Sequence, residues 1–486
     1  MINIFQNEKD LPLTDNPYTL NYCGVDLDIR DIPFNKNNAV WYKLKESGFD
    51  GDIRQYWESA RLQNLSLLIN NYLITKDLFI ISSINDFLNK WFENNPADYG
   101  WNHISNLEIA IRFLSLYRLY FYLGDKIEID LENVLYNYGS HLYYDLHRTN
   151  LCVPNNHSLG EAVSLLLASK LFENAEWEKY AKKTIKKRLS LITKDGESVE
   201  ESSGYHLFVT QMLMIISSIC DDFDDAILVR IANSINILKS ISDKNGNIGK
   251  FGDCDDGLFF VIDSFNRNNI KALNSHFLIV GRKLENVSPI VQESSKYLST
   301  KEKGDYKVAL IGGYDINHAH VQSLSFLLWY KGKQVIFSPG SYHYNGPDEK
   351  IRLELASQKY SNSPHIENVN RDNLVTKFRH KKTIRSVSLT SGYDYVSGII
   401  RIGRTIVTRT ISIQDDGVLI SDESNNKIIG YKICAEQNNN PLIIMLMDKD
   451  VLPNADVFSP SYGTITKTYY YDLKINNNSS KVFLKK

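Results

Sequence analysis

Two polar segments stand out in the first half of the chain, Asn155-Asn156-His157-Ser158-Leu159-Gly160-Glu161 and Glu201-Ser202-Ser203-Gly204-Tyr205-His206. Asn and His side chains donate hydrogen bonds to a carboxylate, and Tyr can shuttle a proton between carbon and oxygen, so the set suits chemistry at an acidic sugar. A phenol with a reference pKa of about 10 serves readily as an acid. It serves as a base only when a cation or hydrogen bonds stabilise the phenolate, a role open to His157 or His206. Plainer readings stand beside these. Asn156 and His157 follow Pro154 at an expected helix start, where such residues cap, and a Tyr hydroxyl often just bonds a backbone carbonyl. Glu161, four residues after His157, either orients the imidazole or forms an ordinary surface i,i+4 pair.

Other polar clusters read more weakly. His318-Ala319-His320 precedes an expected strand, where alternate side chains point to opposite faces, so only one imidazole would face a given site. A transition metal usually needs three protein ligands, and no carboxylate follows at an obvious position, so no metal and no other cofactor is expected. Gly252-Asp253-Cys254-Asp255-Asp256-Gly257 lacks the spacing of a calcium loop and reads as a turn or cap. Glu108 and Arg112, four apart, read first as an ion pair within one helix.

These residues need elements to hold them. From Ile53 to about Ser299 apolar residues recur at helical spacing, with turn signals at Asn94-Asn95-Pro96, Val153-Pro154, Lys194-Asp195-Gly196 and Asn245-Gly246-Asn247. About ten short helices in series must pack side by side, for which a closed or nearly closed ring of hairpins is one solution. After about Lys303 the pattern turns to short β-branched or alternating runs: 306–311, 324–330, 334–337, 383–390, 395–402, 405–413, 418–421 and 442–447. They predict an antiparallel sandwich, interrupted by a polar, irregular stretch from Ser338 to Lys382. The expected domains are a helical one over 1–295 and a β one over 296–486.

Composition narrows the partners. With 55 Lys+Arg against 57 Asp+Glu, the formal charge of −2 argues against a general nucleic-acid binder, so an anionic ligand must be met by a local basic cleft. The five scattered cysteines suggest neither a zinc knuckle nor a disulfide framework, and buried free thiols are the simpler account. No run of about 18 apolar residues predicts a membrane span. The N-terminus lacks the basic and apolar regions of a secretory signal, which reads as a cytoplasmic protein of unknown oligomeric state.

Taken in order, the segments resemble the heparinase II/III-like family of polysaccharide lyases. The resemblance runs through Asp52-Ile53-Arg54 with Trp57-Glu58-Ser59-Ala60-Arg61, then Glu108 with Arg112, Asn155-Asn156-His157, and Glu201-Ser202 with Tyr205-His206. Gly252-Asp253 with Asp255, His318-Ala319-His320, Pro339-Gly340 with Tyr342 and Tyr344, and His365 complete it. It implies an α+β multidomain chain, an N-terminal incomplete (α/α) toroid followed by a C-terminal antiparallel β-sandwich with the active cleft between them. By carry-over, Asn156 and His157 neutralise a uronate carboxylate, Tyr205 is the acid/base and His318 the opposing imidazole, with His206, Glu201, Tyr344 and Arg112 binding substrate. The implied activity is β-elimination on an anionic, uronic-acid polysaccharide. A uronate C5-epimerase in surface-polysaccharide synthesis and a non-catalytic polysaccharide-binding protein are the alternatives. Two departures stand out: Gln322 and Ser338 replace aspartates common in the family. Ser338 falls where the family, with the counterparts of His320 and His365, has a metal site.

Overall fold

The structure is a computed structural model. It describes residues 13–23, 25–30, 39–263, 267–274, 283, 284, 287, 294–318, 320–346, 348–436, 443–446 and 449–485. Its helical part consists of α1 (Ile53–Ala60), α2 (Leu65–Thr75), α3 (Leu78–Asn94), α4 (Asn106–Leu123) and α5 (Leu131–Cys152). These are followed by α6 (Asn156–Leu171), α7 (Ala175–Arg188), α8 (Ser203–Ile219) and α9 (Asp224–Ser240). From α2 onward even-numbered helices form an inner layer, with α4 packed between α2 and α6 and α6 against α8; α3, α5, α7 and α9 lie outside them.

Sequence explains which helix goes where. Helices α4, α6 and α8 are buried nearly all round, as an inner ring requires. Outer α7 buries Trp177, Ala181, Thr184 and Ile185, one stripe at helical spacing, and turns its lysines to water. Short connections at 153–155 and 172–174 make neighbours antiparallel, so successive inner helices share one direction and present their N-termini at one end of the ring.

The sandwich is antiparallel throughout. One meander runs through Leu298–Lys303, Tyr306–Ile311, Phe326–Tyr330 and Lys333–Phe337 to the C-terminal half of Val418–Ala435. A second runs through Ile384–Ser391, Tyr395–Ile402 and Thr405–Ile413 to its N-terminal half. Val418–Ala435 therefore belongs to both layers, paired along its length with Thr466–Lys485. The register breaks between Glu423 and Gly430, the kind of irregularity that lets a strand change layers. A Cβ on Gly430 would lie 2.0 Å from the Leu473 carbonyl oxygen, so that crossing requires glycine.

Strands Tyr306–Ile311 and Phe326–Tyr330 are buried on both faces. Val308, Leu310, Phe326 and Leu328 enter the sandwich core, whereas Ala309, Ile311, Leu327 and Trp329 enter the helical core. The unbroken apolar run Phe326-Leu327-Leu328-Trp329 follows from this two-sided burial, and the seam holds the domains together.

Several expectations need correction. Thr466–Lys485, a long strand, was not expected, because its Asn-Asn-Asn-Ser-Ser centre reads as a loop. The polar stretch after Ser338 contains the helix Glu349–Ala356. Leu442 and Met447, the ends of one expected strand, lie outside the described residues, as does most of 275–293, next to the expected boundary at 295/296. All five cysteines are free, but Cys152 is exposed and Cys23 only half-buried, so three of the five are buried as expected. Among the described residues no helix is long and apolar enough to cross a membrane.

Candidate active site

Local capping builds the helical wall of the site. The Asn155 side chain accepts from His157 N at 3.1 Å and starts α6; Ser202 Oγ accepts from Tyr205 N at 3.3 Å and starts α8. The caps are thus the residues beside the reactive ones, leaving Asn156, His157 and Tyr205 free of that role. Asn156 is 1% exposed. Its Nδ2 donates to both carboxylate oxygens of Glu200, at 2.9 and 3.0 Å, while its Oδ1 is buried without a partner. His157 is half-buried, and burial lowers its pKa to about 4, leaving the ring neutral near pH 7.

The sandwich contributes a loop. His318 has a left-handed backbone (φ +47°) and stacks on Tyr205 with ring centroids 4.0 Å apart; its other ring neighbour is Phe378 at 5.1 Å. Tyr205 Oη donates to Tyr344 Oη at 3.4 Å. Burial, then the Asp255 charge, pushes the Tyr205 phenol well above its ordinary value. His318 is also coupled electrostatically to both Glu200 and His157, which links the two walls.

His318 and His320 do not alternate across a strand edge. Their rings approach the same buried carboxylate, Asp253, with Nδ1 of His318 at 3.7 Å and Nε2 of His320 at 3.4 Å. Arg352 Nη2 donates to Asp253 Oδ2 at 2.5 Å. Burial alone would raise the Asp253 carboxyl, but Arg352 and the two imidazoles hold it well below the carboxylate range. The 252–257 segment is therefore not a simple turn: Asp253, Asp255 and Asp256 pair with Arg352, Arg54 and Lys250.

An ionic layer underlies the site. Arg54 and Arg61 both donate to Glu58 Oε2 at 2.9 Å, Arg267 pairs with the other oxygen of Glu58, and Arg61 forks onto Glu108 at 2.6 and 2.8 Å. Burial would raise Glu58, yet the guanidiniums of Arg267, Arg61 and Arg54 bring it down to about 2. Asp52 caps α1 through Arg54 N and accepts from Tyr344 N and Tyr462 Oη, tying the sandwich to the ring.

Tyr205, His318 and Tyr344 thus meet directly, with Asn156 and His157 on the adjoining helix end. Three other expected site residues do not join them. His206 is inside the core, its ring nitrogens at 3.1 Å from Tyr297 Oη and 2.7 Å from Ser234 Oγ. Glu201 accepts from Tyr314 N at 2.6 Å and Ile316 N at 2.9 Å, bracing the His318 loop. Arg112 is fully buried and donates to Ala60 O, Asn102 O and Tyr138 Oη, so Glu108 pairs with Arg61 and not with it. Glu161 is buried as well, with burial raising its pKa to about 8, so it is no surface partner. The sequence gives no sign that Glu200 meets Asn156 or that Arg352 and Asp253 lie against His318, because nothing local to it says which buried acid packs there.

The residues present do not fit the metal that the resemblance raises. Position 338 offers a serine hydroxyl, a weak ligand beside a carboxylate or an imidazole. Among the described residues no group of three His, Cys, Asp or Glu side chains is placed to hold a metal ion.

No family model matches the chain, and no curated protein matches it significantly. Solved structures do. A heparinase III superposes with a TM-score of 0.61 at 14% identity, covering 99% of this chain and 85% of that one. A second heparinase III structure gives 0.61 at 13% identity, covering 96% and 79%. A mutant heparan sulfate lyase HepC from Pedobacter heparinus gives 0.54 at 16% identity, covering 95% and 80%. Over nearly its whole length, therefore, this chain has the fold of heparinase III, a helical toroid followed by an antiparallel β-sandwich.

Proposed function

We propose that the protein is a polysaccharide lyase that cleaves a uronic-acid polymer by β-elimination. The observation that carries this reading is the Tyr205–His318 stack at 4.0 Å, a phenol and an imidazole from different domains beside the Asn156-His157 helix start. Neutralising the uronate carboxylate acidifies the C5 proton, the His318 imidazole in its neutral form takes that proton as the C4–O bond breaks and the C4=C5 bond forms, and the glycosidic oxygen leaves with the proton of Tyr205. The raised phenol of Tyr205 suits the acid that protonates the leaving oxygen. The N-termini of α6 and α8 favour an anion on the helical wall, to which the neutral ring of His157 can donate one hydrogen bond. Stabilising the enolate-like intermediate would be the largest contribution to rate. The fold shared with heparinase III and heparan sulfate lyase supports the reaction class.

The test is incubation with glucuronate, iduronate, galacturonate, mannuronate and guluronate polymers, recording ultraviolet absorbance of a new C4=C5 bond and solvent deuterium at C5. Absorbance growth is expected. Deuterium uptake without it would make the protein an epimerase. Tyr205→Phe is expected to lower turnover by about 10²- to 10⁴-fold with binding nearly intact; turnover at the parent rate would refute the mechanism.

A further inference from the structure

Glu200 differs from five acids near the site. Asp253, Asp255, Glu58, Glu108 and Asp315 each have an arginine partner. Glu200 is 3% exposed, and among the described residues the hydrogen bonds to its carboxylate come from Asn156 alone, through Nδ2 and, at 3.4 Å, the backbone N. The adjoining Glu201 carboxylate is turned away to Tyr314 N and Ile316 N. The titratable group acting on Glu200 across the cleft is His318; on its own side it meets the start of α6, where His157 follows Asn156.

This arrangement has a consequence for charge. With Glu200 ionised, Nδ2 of Asn156 is held by the carboxylate, and the amide end turned away from Glu200 is Oδ1, an acceptor buried without a partner, which is the wrong polarity for a uronate carboxylate. An amide turns over about a broad, roughly two-fold torsion. With Glu200 protonated, its O–H donates to Oδ1 and Nδ2 is free to donate to substrate. Resting on the lyase reading, we propose that Glu200 is a positioning residue whose proton selects the end of the Asn156 amide that substrate meets. Burial raises its carboxyl above the usual range, which favours the protonated form.

The experiment compares parent, Glu200→Gln and Glu200→Ala, with folding checked by circular dichroism. The readouts are kcat/KM against pH on the cleaved polymer, and the infrared band of a protonated carboxyl in parent-minus-Gln difference spectra. The Gln amide can donate to Oδ1 at any pH, so that variant is expected to keep the parent's acid-side rate within a few-fold and lose the alkaline decline caused by Glu200. Glu200→Ala is expected to fall on the order of 10- to 100-fold at all pH values, as when an orienting partner is lost. A Gln variant with the alkaline limb unchanged, or as slow as the Ala variant, would overturn the proposal. So would absence of the difference band in the parent near neutral pH, whether or not any polymer is cleaved. The band present with every polymer untouched would support Glu200 and refute the lyase reading.

Discussion

The two sides of the candidate site, the helical wall and the sandwich wall, are positioned by different physics. On the helical wall, caps one residue from Asn156 and three from Tyr205 set the side chains at helix ends, so the geometry is local. On the sandwich wall, His318 sits in a loop with a left-handed backbone, held by buried ions and long-range bonds. Glu201 binds its backbone, Arg371 pairs with Asp315 within it, and Asp253 with Arg352 lies against its imidazoles. A locally determined wall tolerates loss of one contact; a loop held by buried charges does not, because removing one partner leaves the other charge unpaired.

The largest effect should come from the sandwich wall. Arg352→Leu leaves Asp253 ionised and buried, at an expected cost of about 3–5 kcal/mol, read as a shifted denaturation midpoint, with turnover lost as His318 is released. A shift below about 1 kcal/mol would erase the contrast between the walls. Next comes a buried acid of the helical wall. Burial raises the folded-state pKa of Glu161 from 4.5 to about 8, so between those values the folded state holds a proton that the unfolded state has released. Stability is therefore expected to decline as pH rises through that window, and Glu161→Gln should flatten the slope of Tm against pH. An unchanged slope would mean Glu161 is not buried as described. The smallest effect is expected for Asn155→Ala, about 1 kcal/mol from the lost α6 cap, measured by thermal unfolding. A loss as large as that of Arg352→Leu would show that the helical wall is not locally determined.

Legibility in the sequence follows the same division. Asn156, His157 and Tyr205 could be singled out because each stands at a helix start marked by Pro154 or Ser202, and periodicity located those starts. His206 and Arg112 have equally reactive side chains, but the same periodicity carries them into the core, where Tyr297, Ser234 and backbone carbonyls satisfy them. The direction a polar residue faces depends on which neighbour packs there, and spacing along one helix does not contain it. Thr466–Lys485 was missed for a related reason: its polar centre is a strand because Val418–Ala435 pairs with it.

By itself, the sequence determined the order of the elements, helices with inner or outer burial patterns and then alternating strands, since hydrophobic period is a local property. It also placed Asn156, His157 and Tyr205 at helix starts, since capping is local too. Tertiary structure alone decided that His318 lies against Tyr205, that His318 and His320 share Asp253, and that Glu200 has an amide partner where Asp253, Glu58, Glu108 and Asp315 have arginines. Those outcomes depend on the environment in which each charge is buried, and that environment is assembled from segments far apart in the chain.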